Sequence, residues 1–538
     1  MSPTTPPPSV TVRSPHHLVA SADQLATSAG LAAFAQGGNA VDAAIATNAA
    51  IAVTGPHLCG MGGDLFALVH VDDPSAPDTP GETVALNASG RAGSGADAAA
   101  LRSEGFADMP FKNDIRTVTV PGCIDGWIAL HERFGSLPLD VILAPARRLA
   151  ADGFPASPLL VGSLRRLDAP SRSNLDELAS QATSTGARVR RPGVALALTG
   201  LPHSGRDGWY GGAFGDGLLE LGDGLFTDSD LSASHADWVE PLTTSAFGVD
   251  LHTIGPNTQG YLILAAARLA ERLDLPDDPD DDRWAHLLIE AATAAGFDRP
   301  EALHETADGD ELIQIIEGRL DMIGLERASN RTAPATDGDT TYLCTAGIDG
   351  DGRRLGVSLI QSNASGFGSH LVEPHTQINL HNRGLGFNLI GGHPAEYGPG
   401  RRPPHTLSPA LATRSGRLAS VFGTMGGDAQ PQILLQIAAR LFQHGQSPSR
   451  SINAGRWALR GPVTGFDTWA GDQAPSVQVE GHAPSGWVAA LAARGHRSES
   501  APAWDSGFGH AHAIVVDDNE MFAGAADPRT VVGSAAGG

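Results

Sequence analysis

Residues 335–363 read ATDGDTTYLCTAGIDGDGRRLGVSLIQSN. Two strand-like runs, TYLCTAGI and RLGVSLIQS, flank the turn-forming DGDG (Asp349 to Gly352), which is the pattern of a β-hairpin. Folding about that turn makes the two runs antiparallel and sets Thr340 opposite Ser362, to within a residue or two. Thr340 and Thr341 directly follow an Asp-Gly-Asp turn. That placement has two readings: an ordinary loop ahead of a strand, or a chain cut before Thr340. In the second reading Thr340 is a new N-terminus that does chemistry. A threonine hydroxyl is a poor nucleophile without a base. A free α-amine, with an ordinary pKa of roughly 7.7–8.0, supplies that base on the same residue. The route to the cut is attack of the Thr340 hydroxyl on the Asp339 carbonyl, an N-to-O acyl shift, then ester hydrolysis.

A second stretch bears on the same chemistry. VFGTMGGDAQPQ (Val421 to Gln432) starts like a strand, passes Gly426-Gly427 and enters the helix-like PQILLQIAARLFQ. The glycine pair is either a plain strand-to-helix turn or a place where exposed backbone N–H groups stabilise an oxyanion. Between the two stretches lies RRPPHTLSPAL (Arg401 to Leu411), a stiff proline-bounded loop offering His405, Thr406 and Ser408.

Further out, residues 1–14 read as a disordered tail. Ser21 to Gln24 reads as a capping box for a helix that stops at Gly37-Gly38. Asn39 caps AVDAAIATNAAIAVT (Ala40 to Thr54), apolar on almost every face and so a buried helix. Residues 157–330 read as mostly helical, with AHLLIEAATAAGFDR (Ala285 to Arg299) amphipathic and the acidic run Asp277 to Asp282 a solvated loop. From residue 340 onward the texture turns to strands. No repeat is evident.

The bulk numbers fit a turn-rich globular enzyme: 538 residues, 41% hydrophobic, 66 Gly and 37 Pro. The formal charge of −24, with Lys112 the single lysine, argues against nucleic acid or an anionic membrane as partner. Cys59, Cys123 and Cys344 are too few and too scattered for a disulfide framework or a cysteine zinc site. Cys344 reads as packing, not as a rival nucleophile. His510-x-His512 puts two imidazoles on one strand face, but no third ligand has convincing spacing, so no metal is expected. The N-terminus lacks the apolar core of a secretory signal, and no apolar run reaches about 18 residues. The expected compartment is the cytoplasm.

Taken together, the chain resembles the γ-glutamyltransferase family of N-terminal nucleophile hydrolases, from about residue 16 to 530. The N-terminal half carries GGNAVDAAIATNAAIAVTGPHLCGMGGDLFA, VTVPGCIDGW, ERFGSLPL and PARRLAADGF. The middle carries DWVEPL and GPNTQG, and the C-terminal half GDTTY, FGS, RPPHTLSPAL, GTMGGD and AADPR. So many motifs in one order are far more specific than any single one. The resemblance implies an α+β fold, a four-layer αββα sandwich. It also implies self-cleavage between Asp339 and Thr340 of an inactive precursor, or zymogen. A large subunit (15–339) and a small subunit (340–538) then form one αββα unit.

By the same likeness Thr340 is the nucleophile, and Ser362 falls where the family has a second threonine supporting it. Gly426 and Gly427 match the oxyanion-hole glycines. Thr341 matches the second threonine of the family's Thr-Thr-His motif, while Tyr342 replaces the histidine. No cofactor is implied. The partners are a small-molecule amide substrate and the chain's own cleaved subunit. Association of two such heterodimers is left open.

The departures concern substrate. In HNRGLGF, Arg383 sits where glutamyl-binding members have Gln and Gly386 where they have the acid that holds the substrate α-amine. Ala364 replaces an amine-binding Asn, Arg91 is displaced by two positions from the carboxylate-binding arginine, and the paired pocket serines become His405-Thr406. The segment 384–400 is also shorter than in members with a lid. An ammonium desolvated without a carboxylate costs several kcal/mol. These features resemble the oxamate amidohydrolase and acylase-like subgroup. The substrate is then a small carboxylate-bearing or acyl amide, gripped by Arg91 and Arg383 beside His405 and Thr406. Two other readings stand against this one. One is a true γ-glutamyl hydrolase or transpeptidase acting on glutathione-like substrates. The other is an unprocessed, non-catalytic binding protein.

Overall fold

The computed structural model describes residues 8–76, 78–329, 340–460 and 475–538. The expected junction lies at the edge of that set: Thr340 is inside it, Asp339 outside. The hairpin forms as its sequence dictates. Thr341–Ile348 pairs antiparallel with Arg354–Ser362, Thr341 opposite Gln361 and Ile348 opposite Arg354. One more step back along that register sets Thr340 against Ser362. The connection closes because Asp349 accepts hydrogen bonds from the N–H groups of Asp351 and Arg353, while Gly352 takes φ 83° at no steric cost.

This hairpin is the centre of a seven-stranded antiparallel sheet. The order is Ser534–Gly537, His17–Ser21, Thr341–Ile348, Arg354–Ser362, Asp64–Asp72, Glu82–Ala88 and Asp237–Val239. Strands from before and after residue 340 therefore interleave, and a cut there separates no layer. Every residue of Arg354–Ser362 is buried, which fits a strand covered on both faces. A second seven-stranded sheet runs Val12–Ser14, Phe522–Ala525, Ala511–Val516, Arg417–Thr424, Ala410–Arg414, Val249–Thr253 and Leu242–Ala246.

Three apolar cores give four layers. The middle core joins Phe66, Leu68, Tyr342, Cys344 and Ile360 of the first sheet to Leu411, Val421, Ile514 and Phe522 of the second. One outer core packs helices such as Ala40–Thr54 on the first sheet. The other packs Tyr261–Glu271, Asp282–Gly296 and Gln430–Ala438 on the second. The Ala40–Thr54 helix is buried at every position, with a capping box between Asn39 and Asp42. It touches the hairpin directly, since Thr345 Oγ1 donates to the Ala40 carbonyl at 2.7 Å. Cys344 is buried in the middle core, and burial pushes its thiol up, as suits packing rather than nucleophilic work. Among the described residues no helix is long and apolar enough to cross a membrane.

The structure differs from the sequence reading at three places. Val12–Ser14, expected inside the disordered tail, pairs with Phe522–Gly524 as an edge strand. Asp23, not Ser21, caps the first helix by accepting from the Leu25 N–H at 2.7 Å, because Ser21 is still the last residue of a strand. The expected amphipathic helix spans Asp282–Gly296 and is buried from Trp284 to Gly296; neighbouring helices cover the face expected to meet water. The acidic loop before it is solvated as expected, with Asp277, Asp278, Asp280 and Asp281 exposed; Asp281 also caps that helix and Asp280 pairs with Arg440 at 3.0 Å.

Candidate active site

Thr340 lies at the start of the central strand, 1% exposed. Its Oγ1 is 3.0 Å from Ser362 Oγ, and Ser362 Oγ in turn accepts from the Ala364 N–H at 2.8 Å. Ala364 sits at φ 74°, a left-handed backbone that alanine rarely adopts. The turn after Ser362 thus carries a conformational cost, beside the Thr340–Ser362 contact.

The next strand extends this row of side chains. Ser362 pairs with Asp64 across the sheet. The loop before Asp64 reaches that position because Gly63 has no side chain. A Cβ on Gly63 would stand 2.2 Å from the Ser362 carbonyl oxygen. Gln361 pins the same loop by exchanging hydrogen bonds with Gly60, at 3.0 and 2.6 Å.

Asp64 is fully buried and accepts from the Gly90 N–H at 3.0 Å and the Gly122 N–H at 3.3 Å. His405 Nε2 lies 3.3 Å and His381 Nδ1 3.5 Å from its Oδ2. Burial pushes this carboxyl up, but His381, the His405 hydrogen bond and the Gly90 N–H outweigh it and hold the pKa at about 2. His405 is lowered to about 3, by burial first and then by the nearby Arg383 charge. With both groups lowered, the pair at neutral pH is a neutral imidazole donating to a carboxylate, not an ion pair. The folded pKa of Asp64 lies below the ordinary value of about 3.9, so its contribution is present above about pH 4. It is lost as pH falls towards 2, to the extent of about 2–3 kcal/mol. Urea midpoints measured between pH 5 and pH 2.5 are expected to fall, and Asp64→Asn is expected to flatten that slope.

Arg383 Nη1 donates to Thr406 Oγ1 at 3.3 Å. Burial lowers its guanidinium to about 10, against the opposing pull of Asp428 and Asp64, so it stays charged at neutral pH. Asp428 pairs with Arg299 at 3.1 Å. A cleft beside these groups is lined by Arg299, Leu303, Leu385, Gly386, Asn388 and Pro404. Gly426 and Gly427 follow the strand Arg417–Thr424 after Met425 and take φ 140° and 53°, backbone that glycine tolerates and other residues resist. Gln259 joins this turn to the pocket loop: its Nε2 donates to the carbonyls of Thr406 at 2.9 Å and Gly427 at 3.1 Å.

The structure therefore brings Thr340 to Ser362, Arg383 to Thr406, and His405 to the Asp64 row. It commits the Arg91 side chain elsewhere, to Glu305 and to the Gly400 carbonyl at 3.0 Å. Asp339 lies outside the described residues. Asp64, Gln259, His381, Arg299 and Asp428 were not singled out from the sequence. Three of them had a signal: Asp64 stands in CGMGGDLFA, Gln259 in GPNTQG and Asp428 in GTMGGD, motifs that otherwise read as glycine turns.

Two sheets face to face between helical layers, with a threonine at the head of a central strand, is the fold of the N-terminal nucleophile hydrolases. The profile of the family described as Gamma-glutamyltranspeptidase matches residues 26–537, and the chain belongs to that family. It is an amidohydrolase of that kind. It is 33% identical to the oxamate amidohydrolase proenzyme of Klebsiella pneumoniae subsp. pneumoniae, over 97% of this chain and 99% of the relative. It is 31% identical to the glutathione hydrolase-like YwrD proenzyme of Bacillus subtilis, over 95% and 97%. Among solved structures it is similar to a cephalosporin acylase from Bacillus halodurans, with a TM-score of 0.87, 32% identity and coverage of 100% and 98%.

Proposed function

We propose that the chain cuts itself before Thr340 and then hydrolyses a small amide carrying a carboxylate, through an acyl ester on Thr340. The observation that carries this reading is the 3.0 Å contact between Thr340 Oγ1 and Ser362 Oγ. It gives the threonine hydroxyl a partner that can orient it and relay its proton. In self-cleavage Oγ1 attacks the Asp339 carbonyl carbon. The C–N bond breaks, the hydroxyl proton passes to the leaving amine, and water hydrolyses the ester. The attacked carbonyl belongs to the neighbouring residue, so a hydroxyl only 1% exposed is no obstacle to this step.

The freed amine is then the base for turnover. It takes the hydroxyl proton as Oγ1 attacks the substrate amide, and that proton leaves with the departing nitrogen. The N–H groups of Gly426 and Gly427 receive the developing oxyanion. Water completes the cycle as the usual acceptor. The proenzyme names of the relatives support the cut. The three buried, unbridged cysteines support a reducing, cytoplasmic setting.

For the substrate, Arg383 is the anchor. It is a buried cation with Thr406 beside it, and a carboxylate-bearing amide such as the oxamate named for one relative suits it. A γ-glutamyl amide is the second reading, motivated by the name of the Bacillus subtilis relative. It must find a partner for an ammonium group where Asp64 and Asp428 already hold His405, His381 and Arg299. Turnover of oxamate, a simple acyl amide and a γ-glutamyl chromogenic amide separates these readings. Oxamate-like amides are expected to be hydrolysed fastest, and a dominant γ-glutamyl activity would overturn the substrate assignment. Arg383→Lys keeps the charge but loses the planar fork. It is expected to lower kcat/KM for the carboxylate-bearing amide by about 10–100-fold and to leave the neutral acyl amide nearly unchanged.

A further inference from the structure

Far from Thr340 in sequence, three metal-competent side chains converge. His286 and Glu290 stand four residues apart on the buried helix Asp282–Gly296, and so on one face of it. His496 comes from the loop between the helix Trp487–Ala493 and the strand Arg497–Ala501. One donor atom from each of the three lies within 4.8 Å of the others. His286 Nδ1 and His496 Nε2 are 2.8 Å apart. A cavity of about 70 Å³, whose lining includes Glu290, Thr293, Ser329, Leu459, His496 and Arg497, opens beside them. That is room for more than one water molecule, each needing roughly 10–15 Å³.

We propose that His286, Glu290 and His496 bind a divalent ion of zinc type. Two imidazoles and a carboxylate are a borderline donor set that suits zinc better than magnesium or calcium. Arg494, two residues before His496, is paired with Asp282 at 3.2 Å and Glu326 at 3.5 Å. Glu290 is 3% exposed and is oriented by the N–H groups of Gly324 at 3.1 Å and Ser329 at 3.2 Å. Such outer contacts fix a ligand before the ion arrives. Three protein ligands leave a fourth position for water from the cavity. Zinc bonds of about 2.0–2.2 Å require only side-chain shifts from the present spacing.

Two ligands precede residue 340 and one follows it. The ion would tie the large chain to the small one outside the interleaved sheet. Ion binding itself does not depend on the cut; only this cross-chain consequence does.

The test uses untagged full-length protein stripped by a chelator and titrated calorimetrically with zinc chloride, with metal content read by mass spectrometry. Wild type and the uncut Thr340→Ala chain are both expected to take up about one zinc per chain at micromolar affinity or tighter. His496→Ala is expected to weaken uptake at least 10-fold, while His203→Ala, at an exposed histidine, leaves it unchanged. Cobalt substitution is expected to give the visible absorption of a four-coordinate site in wild type and to lose it in His496→Ala. His496 is only partly buried, so His496→Ala is expected to keep the wild-type circular dichroism without metal. No uptake by wild type, or equal uptake by His496→Ala, overturns the proposal and leaves a hydrogen-bonded histidine pair.

Discussion

Replacing Thr340 by alanine is expected to leave one uncut chain and to lower amide hydrolysis by at least about 10³-fold. The effect is large because, in the proposed mechanism, a single residue supplies both reacting groups. Without Oγ1 there is no attack on the Asp339 carbonyl, so no free amine appears. Without the amine there is no base for turnover, and without the hydroxyl no acyl ester forms. Removing Ser362 tests a lesser role. Its Oγ contacts the Thr340 hydroxyl at 3.0 Å but carries no bond to the acyl group, so Ser362→Ala is expected to slow the cut rather than abolish it. Thr340→Ser keeps hydroxyl and amine and is expected to retain both reactions at reduced rate. The readouts are gel mobility over time and hydrolysis of the amide. A Thr340→Ala protein that still splits into two chains places the cleavage chemistry on another residue.

Replacing Asp527 by alanine is expected to destabilise the fold by about 3–5 kcal/mol. This aspartate lies in AADPR, far from Thr340 in sequence, and binds two buried arginines. Its Oδ2 accepts from Arg456 Nη2 at 2.7 Å and the Ala511 N–H at 2.8 Å. Its Oδ1 accepts from the Arg529 N–H at 2.9 Å and Nη1 at 3.1 Å. Arg529 is also held by Glu480, with Nε 2.9 Å from Oε1. Burial pushes the Asp527 carboxyl up, but the Arg456 and Arg529 charges outweigh it and hold it well below the ordinary range. Removing it leaves two guanidiniums against one carboxylate in a buried setting. Urea unfolding of Asp527→Ala in the uncut Thr340→Ala background keeps the chain in one piece in both states. A midpoint unchanged from that background contradicts this account of the motif.

The central part of the fold was legible because its signals are local. The period-two texture on both sides of DGDG placed the hairpin, and the count of residues from its turn set Thr340 against Ser362. The Asn39-capped run was legible as buried because it is apolar on every face. The site beyond this pair was legible only in part, because its remaining members meet through long-range packing. Arg383 and His405 were found through the resemblance, but what holds them was not. Asp64 sits behind a glycine run and gains its role only when three strands align. Gln259 joins two loops some 150 residues away, Thr406 and Gly427, and nothing in its own neighbourhood signals that. Arg91 illustrates the opposite case. Its type and position suited a carboxylate clamp, yet Glu305 from a distant turn engages it. Ala285 to Arg299 was read as an amphipathic helix from its period. Layer packing covers both faces, and that is a property of the whole molecule.

The central claim is that Thr340 becomes a chain end. N-terminal sequencing of the smaller fragment from purified protein tests it most directly. The account predicts a fragment of about 200 residues beginning Thr-Thr-Tyr-Leu-Cys. Fully active protein that remains one uncut chain, or a fragment starting at any other residue, contradicts it.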